Sequence, residues 1–157
     1  RANFKQKIRL ESGFTLQQSL YDEAIEYSDI LPLKKEFLRS PDYYGYATFS
    51  YNASAKLSFA ANLVHTGAMS LIHLAGAPEQ LEDEFFKSPA FNSIGIKSTY
   101  IQNLKESSIK IEYSVGVKNL TNDFQKEFDS LKNRDSNFVY GPAFPRTLFF
   151  GLVLKSI

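Results

Sequence analysis

The 157-residue sequence contains no cysteine, no tryptophan and a single methionine. The lack of cysteine excludes a disulfide framework and any cysteine-ligated zinc or redox centre. No stretch approaches the roughly 18–20 apolar residues that a transmembrane helix needs. The first fourteen residues alternate between polar and apolar side chains and do not form the apolar block of a signal peptide. If the chain lies in a membrane, it must therefore cross it as β-strands.

The sequence also lacks an excess of charge of either sign. Its 18 basic and 17 acidic residues give a formal net charge of +1, so we expect no nucleic-acid partner. There is no nucleophile motif, no glycine-rich phosphate loop and no metal-binding helix motif. We therefore expect a protein that is not an enzyme and that holds neither a cofactor nor a metal ion.

Aromatic residues, in contrast, are abundant, with 14 Phe and 9 Tyr. β-Strands favour aromatic and β-branched side chains, and membrane barrels concentrate aromatics at the lipid interfaces. Apolar residues recur with a period of two along most of the chain, which predicts strands. The six predicted strands are 4–21, 43–51, 57–74, 91–104, 109–118 and 146–157.

The predicted connections alternate in length. Long and short connections follow one another in the order 27–42, 52–56, 75–90, 105–108 and 120–145. Outer-membrane barrels of bacteria have short periplasmic turns and longer extracellular loops. The pattern predicts an all-β fold, an antiparallel up-and-down meander of about six long strands. Within the long loops, residues 80–87 and 122–131 are predicted to form helical turns.

Alternation alone does not tell which face of such a sheet meets water, so three interpretations remain open. Membrane barrels begin at eight strands, so six strands favour a piece of a larger membrane barrel. The main alternative is a soluble lipocalin-like β-barrel that binds a small hydrophobic ligand. A small structural or adhesive outer-membrane barrel is the third.

A family resemblance covers nearly the whole chain and is more specific from Val115 onward. Its motifs in that part are VGVKNLTN at 115–122, then Gln125 and Asp129, RDS at 134–136, YGP at 140–142 and PRT at 145–147, followed by an alternating strand. Earlier motifs are LRSP at 38–41, YGY at 44–46, and Thr66 and Gly67 with Met69. This pattern resembles the C-terminal region of TonB-dependent receptors, particularly those of Bacteroidetes. The chain departs from the family at its end, where Ser156 and Ile157 replace the usual final aromatic residue.

The resemblance implies that residues 1–157 form the C-terminal segment of a 22-stranded barrel in a Gram-negative outer membrane. The plug domain and the earlier strands would precede Arg1. Such receptors import a scarce ligand, most often an iron–siderophore chelate, haem or vitamin B12, with energy passed on by TonB. The implied partners are outer-membrane lipid, the imported ligand, and TonB through an N-terminal region outside this chain.

Candidate site residues fall into two groups. The predicted extracellular loops contain three candidate ligand contacts, His73, Phe138 and Tyr140. The second group is predicted to shape the last loop and comprises Asn119, Asn122, Gln125, Arg134, Asp135, Gly141, Pro142, Pro145 and Arg146.

Several residues of the loop-shaping group also have a physical basis for their selection. Asparagine tolerates the left-handed conformation, and Arg134 and Asp135 can each tie down a loop by a charge-assisted hydrogen bond. Gly141 and Pro142 predict a turn. His65 and His73 are predicted to share one strand about 26 Å apart, which is too far for a common metal ion.

Overall fold

The computed structural model describes residues 1–5, 7–104 and 108–156. These residues form eleven β-strands in three antiparallel sheets and contain no α-helix, which confirms the predicted all-β class. The strands are β1 (Ala2–Phe4), β2 (Ile8–Leu16), β3 (Leu20–Ile25), β4 (Lys34–Glu36), β5 (Tyr43–Asn52), β6 (Leu57–Thr66), β7 (Ser70–His73), β8 (Glu84–Lys87), β9 (Phe91–Asn103), β10 (Ile109–Lys118) and β11 (Thr147–Ser156). No helix that could cross a membrane occurs in the described ranges.

The main sheet contains seven strands in the order β1-β2-β5-β6-β9-β10-β11. Six of them are long, with 9 to 13 residues, and β1 has only three. The predicted meander of six long strands is therefore confirmed. The edge strands β1 and β11 are not paired with each other among the described residues, so the sheet is open.

The first predicted strand, 4–21, is wrong as a single element. The chain reverses after Phe4, where the Lys7 N–H donates to the Phe4 carbonyl at 3.0 Å. Its other end is diverted at Gln17, whose N–H donates to the Asp42 carbonyl at 2.8 Å. Residues beyond Gln17 then pair as β3 with β4, outside the main sheet.

The predicted strand 57–74 is also divided, and the break lies at Gly67. The Gly67 N–H donates to the Tyr43 carbonyl at 2.9 Å, and a Cβ at Gly67 would lie only 2.5 Å from that carbonyl oxygen. Glycine therefore permits a close approach at the position that follows the last residue of β6. The chain then continues as β7, which pairs with β8, so His65 and His73 lie in different sheets and not in one strand as predicted.

Neither predicted helical turn is present. Residues 84–87 of the first form β8. Residues 122–131 contain no helix because Gln125 bonds across the loop, as described below. The predicted short turn 105–108 falls largely outside the described residues, as does Ile157 of the last predicted strand.

The two faces of the main sheet differ sharply in polarity. The face that we call the apolar face is defined by the paired positions Leu10, Phe49, Ala61, Ile96, Val117 and Leu148 and by the alternate residues of the same strands. The opposite, polar face carries side chains such as Glu11, Thr48, Asn62, Lys97 and Lys110.

Much of the apolar face is exposed. The exposed fractions reach 65% for Phe14, 70% for Phe150 and 78% for Leu148. No other element among the described residues packs over this face.

The long connections all lie at one end of the main sheet, which we call the loop end. They are loop 1 (17–42), loop 2 (67–90) and loop 3 (119–146). The opposite, turn end contains the short connections, including the turn at residues 53–56. This confirms the predicted alternation of long and short connections where both strands of a connection are described.

Candidate functional site

The three long loops pack into a single layer at the loop end. Loops 1 and 2 are joined where the Arg39 N–H donates to the Ser70 carbonyl at 2.7 Å and the Ser70 hydroxyl donates to Glu36 at 3.0 Å. The Lys34 ammonium group lies 4.4 Å from the ring centre of Phe85, a cation–π contact. The β3–β4 and β7–β8 hairpins thus support each other.

Loops 2 and 3 are joined by hydrogen bonds to carboxylate groups. His73 Nε2 lies 2.7 Å from Asp129 Oδ1. The Leu74 N–H donates to Asp135 at 3.2 Å, and the Ser130 hydroxyl donates to Glu79 at 2.6 Å. These contacts cross more than fifty residues of sequence, so they fix loop 3 over loop 2.

Arg39 connects loop 1 to both other loops. Its guanidinium group donates to the Val139 carbonyl of loop 3 at 2.6 Å, while its backbone N–H bonds loop 2. Its φ of 62° is in the left-handed region. Arg39 was not a predicted site residue, because a contact that spans a hundred residues leaves no local signal.

A buried aromatic cluster lies at the centre of the loop layer. Its buried core and the two side chains packed against it are Leu71, Phe91, Phe138, Tyr140, Met69 and Phe86. Phe91 begins β9 on the polar face, opposite Thr66. The cluster therefore covers the polar face at the loop end and leaves the apolar face untouched.

The three predicted ligand contacts meet in this cluster. The rings of His73 and Phe138 stack at 3.6 Å with an interplanar angle of 4°, and Tyr140 lies 5.3 Å from Phe138. Their exposed fractions are only 7%, 5% and 6%. They are core residues of the loop layer in this structure, and direct ligand contact by them stays a prediction.

The residues predicted to shape loop 3 hold its two ends together. Asn119 and Asn122 have φ of 48° and 57°, in the left-handed region that asparagine tolerates. The Asn119 amide donates to the Phe144 carbonyl at 2.9 Å, and Asn122 accepts from the Arg146 N–H at 2.9 Å. The Arg146 guanidinium donates to the Leu120 carbonyl at 2.9 Å. The start of loop 3 is thereby clamped to the residues before β11.

The side-chain amide of Gln125 forms hydrogen bonds with the backbone inside loop 3. Its amide donates to the Phe138 carbonyl at 3.1 Å and accepts from the Tyr140 N–H at 2.7 Å. The side chain is 2% exposed, and a buried amide with satisfied partners is stabilising while an unsatisfied one is costly. Gln125 thus fixes the backbone that carries the aromatic cluster.

Of the pair Arg134 and Asp135, it is Asp135 that ties the loop. Asp135 accepts from the backbone N–H groups of Leu74 and Asn137 at 3.2 and 2.8 Å, as a charge-assisted tie. Arg134 is exposed and forms no hydrogen bond or ion pair with any described residue, and its role in shaping the loop stays a prediction. Asp129, which lies in the motif but was not predicted as a site residue, instead joins His73 and the Asp135 N–H.

The chain bends at Gly141, where a turn with Pro142 was predicted. Gly141 has φ of 76°, and a Cβ there would meet the Phe91 ring at 2.6 Å. Pro142 follows it, and Pro145 lies two residues before β11, where a missing N–H costs no ladder bond. Glycine is therefore required at 141 both for conformation and for space.

Hydrogen bonds also set the protonation of the loop carboxylates. The Lys34 ammonium, with help from the Ser70 hydroxyl, lowers the pKa of Glu36. The Ser28 hydroxyl and the Ala75 N–H lower the pKa of Asp83. Both groups therefore link loops 1 and 2 in their ionised form.

Beneath the loop layer lies a cavity of about 370 Å³ on the polar face. Its lining comprises Val64, Thr66, Met69, Phe91, Ser93, Gly141 and Pro142. No group of three or more metal-ligating side chains is placed to hold an ion in the part of the chain that the structure describes. The cavity can therefore offer apolar contact and two or three hydroxyl and carbonyl groups to a small ligand.

Comparison with protein-family models, curated proteins and solved structures finds no match to this chain.

Proposed function

We propose that the chain forms part of the wall and extracellular mouth of an outer-membrane receptor of the TonB-dependent type. In this proposal the seven-stranded sheet is a sector of a 22-stranded barrel, and residues 1–157 are its C-terminal segment. The receptor imports a scarce ligand, an iron chelate such as a siderophore complex or haem, or else vitamin B12. It is a transport protein without catalytic activity.

The observation that carries the proposal is the exposed apolar face of the main sheet. Soluble proteins rarely expose large continuous apolar patches, whereas the outer surface of a membrane barrel is apolar and its lumen polar. The apolar side chains of the six long strands are concentrated on one face, where Leu148, Phe150 and Phe14 are mostly exposed. Lipid is the solvent that this arrangement of faces fits.

Strand length supports the same location. β5, β6, β10 and β11 each contain ten residues. At about 3.3 Å per residue and a tilt of about 45°, such a strand rises about 23 Å. This is close to the apolar band of roughly 25 Å in outer-membrane barrels.

Aromatic side chains lie toward both ends of the apolar face. Tyr51, Tyr100 and Tyr113 lie toward the turn end, and Tyr43 stands at the loop end. Tyrosine places an apolar ring against lipid and a hydroxyl against water, so such rows are typical of membrane interfaces. Under this proposal the turn end is periplasmic and the loop end extracellular.

The open edges of the sheet fit a sector of a larger barrel. Among the described residues, the ten of β11 have no partner on their outer side, and β1 covers only Leu10, Arg9 and Ile8 of β2. Unpaired edges are a liability that barrels remove by closure. Further strands of the barrel would pair with both edges.

The soluble lipocalin-like alternative requires the apolar side chains to line the inside of a closed barrel. The sheet is open and leaves these side chains exposed, so no observation favours that alternative. The choice of cargo is supported by the family resemblance of residues 115–157 alone.

Uptake by cells tests the proposal directly. We expect that deletion of the gene abolishes the uptake of one labelled cargo among a ferric siderophore, haem and cobalamin, and that the wild-type gene restores it. Uptake should also cease when the proton gradient is collapsed, because TonB transmits that energy. Unchanged uptake of all three cargoes, with the protein in the soluble cell fraction, would contradict the proposal.

A further inference from the structure

A further pocket opens in the loop layer, between loops 2 and 3. It has a volume of about 390 Å³ and includes His73 in its lining, so we call it the histidine pocket. Three phenylalanine rings also line it. Among the described residues, its charged lining comprises four carboxylates and one ammonium group, on Glu79, Glu84, Glu127, Asp129 and Lys126. The histidine pocket therefore combines a mainly acidic lining with apolar rings.

The His73 ring is held in one orientation inside this pocket. Its side chain is only 9% exposed, and its Nε2 lies 2.7 Å from Asp129 Oδ1. An ionised carboxylate only accepts hydrogen bonds, so Nε2 is the donor and the Nδ1 of the neutral ring is left as an acceptor. The stacked ring of Phe138, at 3.6 Å, fixes the plane of the imidazole. The direction of the Nδ1 lone pair is thereby set.

This Nδ1 atom forms no hydrogen bond with a described residue. A carboxylate oxygen of Glu84 lies 3.8 Å from it, beyond the reach of a direct hydrogen bond. His73 and Glu84 are cross-strand partners in the β7–β8 hairpin, which fixes their separation. One nitrogen placed about 2.8 Å from each atom could donate to both. The pair of acceptors therefore lacks a donor, which a ligand can supply.

The charge around the pocket favours a cationic donor. The three long loops contain 14 acidic and 8 basic residues, and Lys126 forms no ion pair with any described carboxylate. The Ser130 hydroxyl, which donates to Glu79 at 2.6 Å, lowers the pKa of Glu79. An excess of ionised carboxylates attracts cations and repels anions.

The aromatic lining indicates what the cation is attached to. Phe128 lines the pocket and is 57% exposed, so its ring is accessible to a ligand. Aromatic rings bury apolar groups well, and their faces also attract cations. A ligand that fits the pocket therefore carries an apolar group next to its positive charge.

We propose that the histidine pocket binds a small amphipathic amine. Its primary ammonium group donates to His73 Nδ1 and to the Glu84 carboxylate, and its apolar body lies against Phe128. This inference goes beyond the transport function proposed above. It depends on the loop layer alone and not on which face of the main sheet meets lipid.

Isothermal titration calorimetry of the full-length protein tests the proposal. The probes are phenethylammonium, the neutral phenethyl alcohol and the anionic hydrocinnamate, which resemble one another in size. The titrations are made at about pH 8, where an ordinary histidine is neutral. We expect the ammonium probe to bind about tenfold more tightly than the alcohol, because its hydrogen bonds are charge-assisted, and the anion to bind most weakly.

Substitutions of loop 2 separate the two acceptors from general charge. Glu84→Gln should weaken binding of the ammonium probe about fivefold, since its side chain is 55% exposed and its charge is screened. The matched control is Glu82→Gln, which removes an exposed carboxylate of the same loop outside the pocket lining and should leave binding unchanged. His73→Gln keeps a donor for Asp129 but removes Nδ1, and should weaken binding about tenfold.

The outcomes decide between a site and a non-specific charge effect. Equal binding of the ammonium and the alcohol, or equal weakening by Glu84→Gln and Glu82→Gln, would overturn the inference. Unchanged binding to Phe128→Ala would overturn the contact proposed for the apolar body. Hydrogen exchange of loop 3 checks that the His73 variant keeps its fold. An ammonium preference in a protein that imports no cargo would support this site and contradict the transport function.

Discussion

The substitution Phe49→Arg probes the apolar face at the middle of the main sheet. Phe49 lies on this face of β5, is 41% exposed and pairs with Leu10 and Ala61. An arginine on the lipid side near the bilayer midplane costs about 2–4 kcal/mol. The neighbouring Thr48 provides the control, because it lies at the same depth on the polar face, opposite Glu11 and Asn62.

The expected result is a large difference between two variants that add the same charge one residue apart. Phe49→Arg should lower the free energy of unfolding by about 2–4 kcal/mol, which corresponds to about 30-fold to 900-fold in the folding equilibrium. Thr48→Arg should change it by less than about 1 kcal/mol, since the arginine meets water and the Glu11 carboxylate.

Both variants are measured as full-length protein in lipid vesicles. Their denaturant-induced unfolding is followed by far-ultraviolet circular dichroism and by gel mobility. Equal destabilisation by the two substitutions would refute the assignment of one face to lipid. So would a larger effect of Thr48→Arg, because it would mean that the polar face is the side that meets lipid.

Three further predictions concern the loop layer. Asp129→Ala should weaken local stability by about 1–3 kcal/mol, because it leaves buried donors of His73 and Asp135 without an acceptor. Gly141→Ala should cost a similar amount or more, because it combines a φ of 76° with a clash against a buried ring. Acidification should loosen loops 1 and 2. The folded pKa of Glu36 lies below its ordinary 4.5. The contribution of Glu36 to stability is therefore present at neutral pH and is lost as the pH falls through that lowered pKa.

Hydrogen exchange of the loop backbone measures all three effects, with the strands of the main sheet as an internal reference. Glu127→Ala, at an exposed position near Asp129, is the matched control for the first prediction and should leave exchange unchanged. Unaltered exchange in Asp129→Ala or Gly141→Ala would contradict the roles given to these residues. The prediction for Glu36 is that loops 1 and 2 exchange faster at acidic pH, once the rates are corrected for intrinsic exchange. Faster corrected exchange at neutral pH would contradict it.

The main sheet could be predicted from the sequence because the pattern that indicates its strands is local. Alternation of side chains between two faces has a period of two, and residues 109–118 show it without interruption, so β10 was predicted with the bounds that the structure gives. The predicted strands failed where the chain leaves the main sheet and pairs within a loop hairpin. The clearest example is β7, which follows Gly67 and pairs with β8, a partner that no local pattern identifies.

The loop layer could be predicted only in part. The positive φ of Asn119, Asn122 and Gly141 is of the kind that residue type alone suggests. Arg39 and Asp129 act through partners that are distant in sequence, and such pairings are not encoded in any local pattern. Arg134 is adjacent in sequence to Asp135, which accepts the backbone hydrogen bonds of Leu74 and Asn137. The sequence alone did not distinguish these two neighbours.

Solvent accessibility along β5 tests the central claim, that the apolar face meets lipid, most directly. The chain has no cysteine, so a spin label can be attached at one introduced cysteine at a time, at residues 46–51, in vesicles of the full-length protein. The account predicts collision with oxygen, which concentrates in lipid, at residues 47, 49 and 51, and collision with a water-soluble nickel complex at residues 46, 48 and 50. Access of the nickel complex to residues 47, 49 and 51, or no alternation at all, would contradict it.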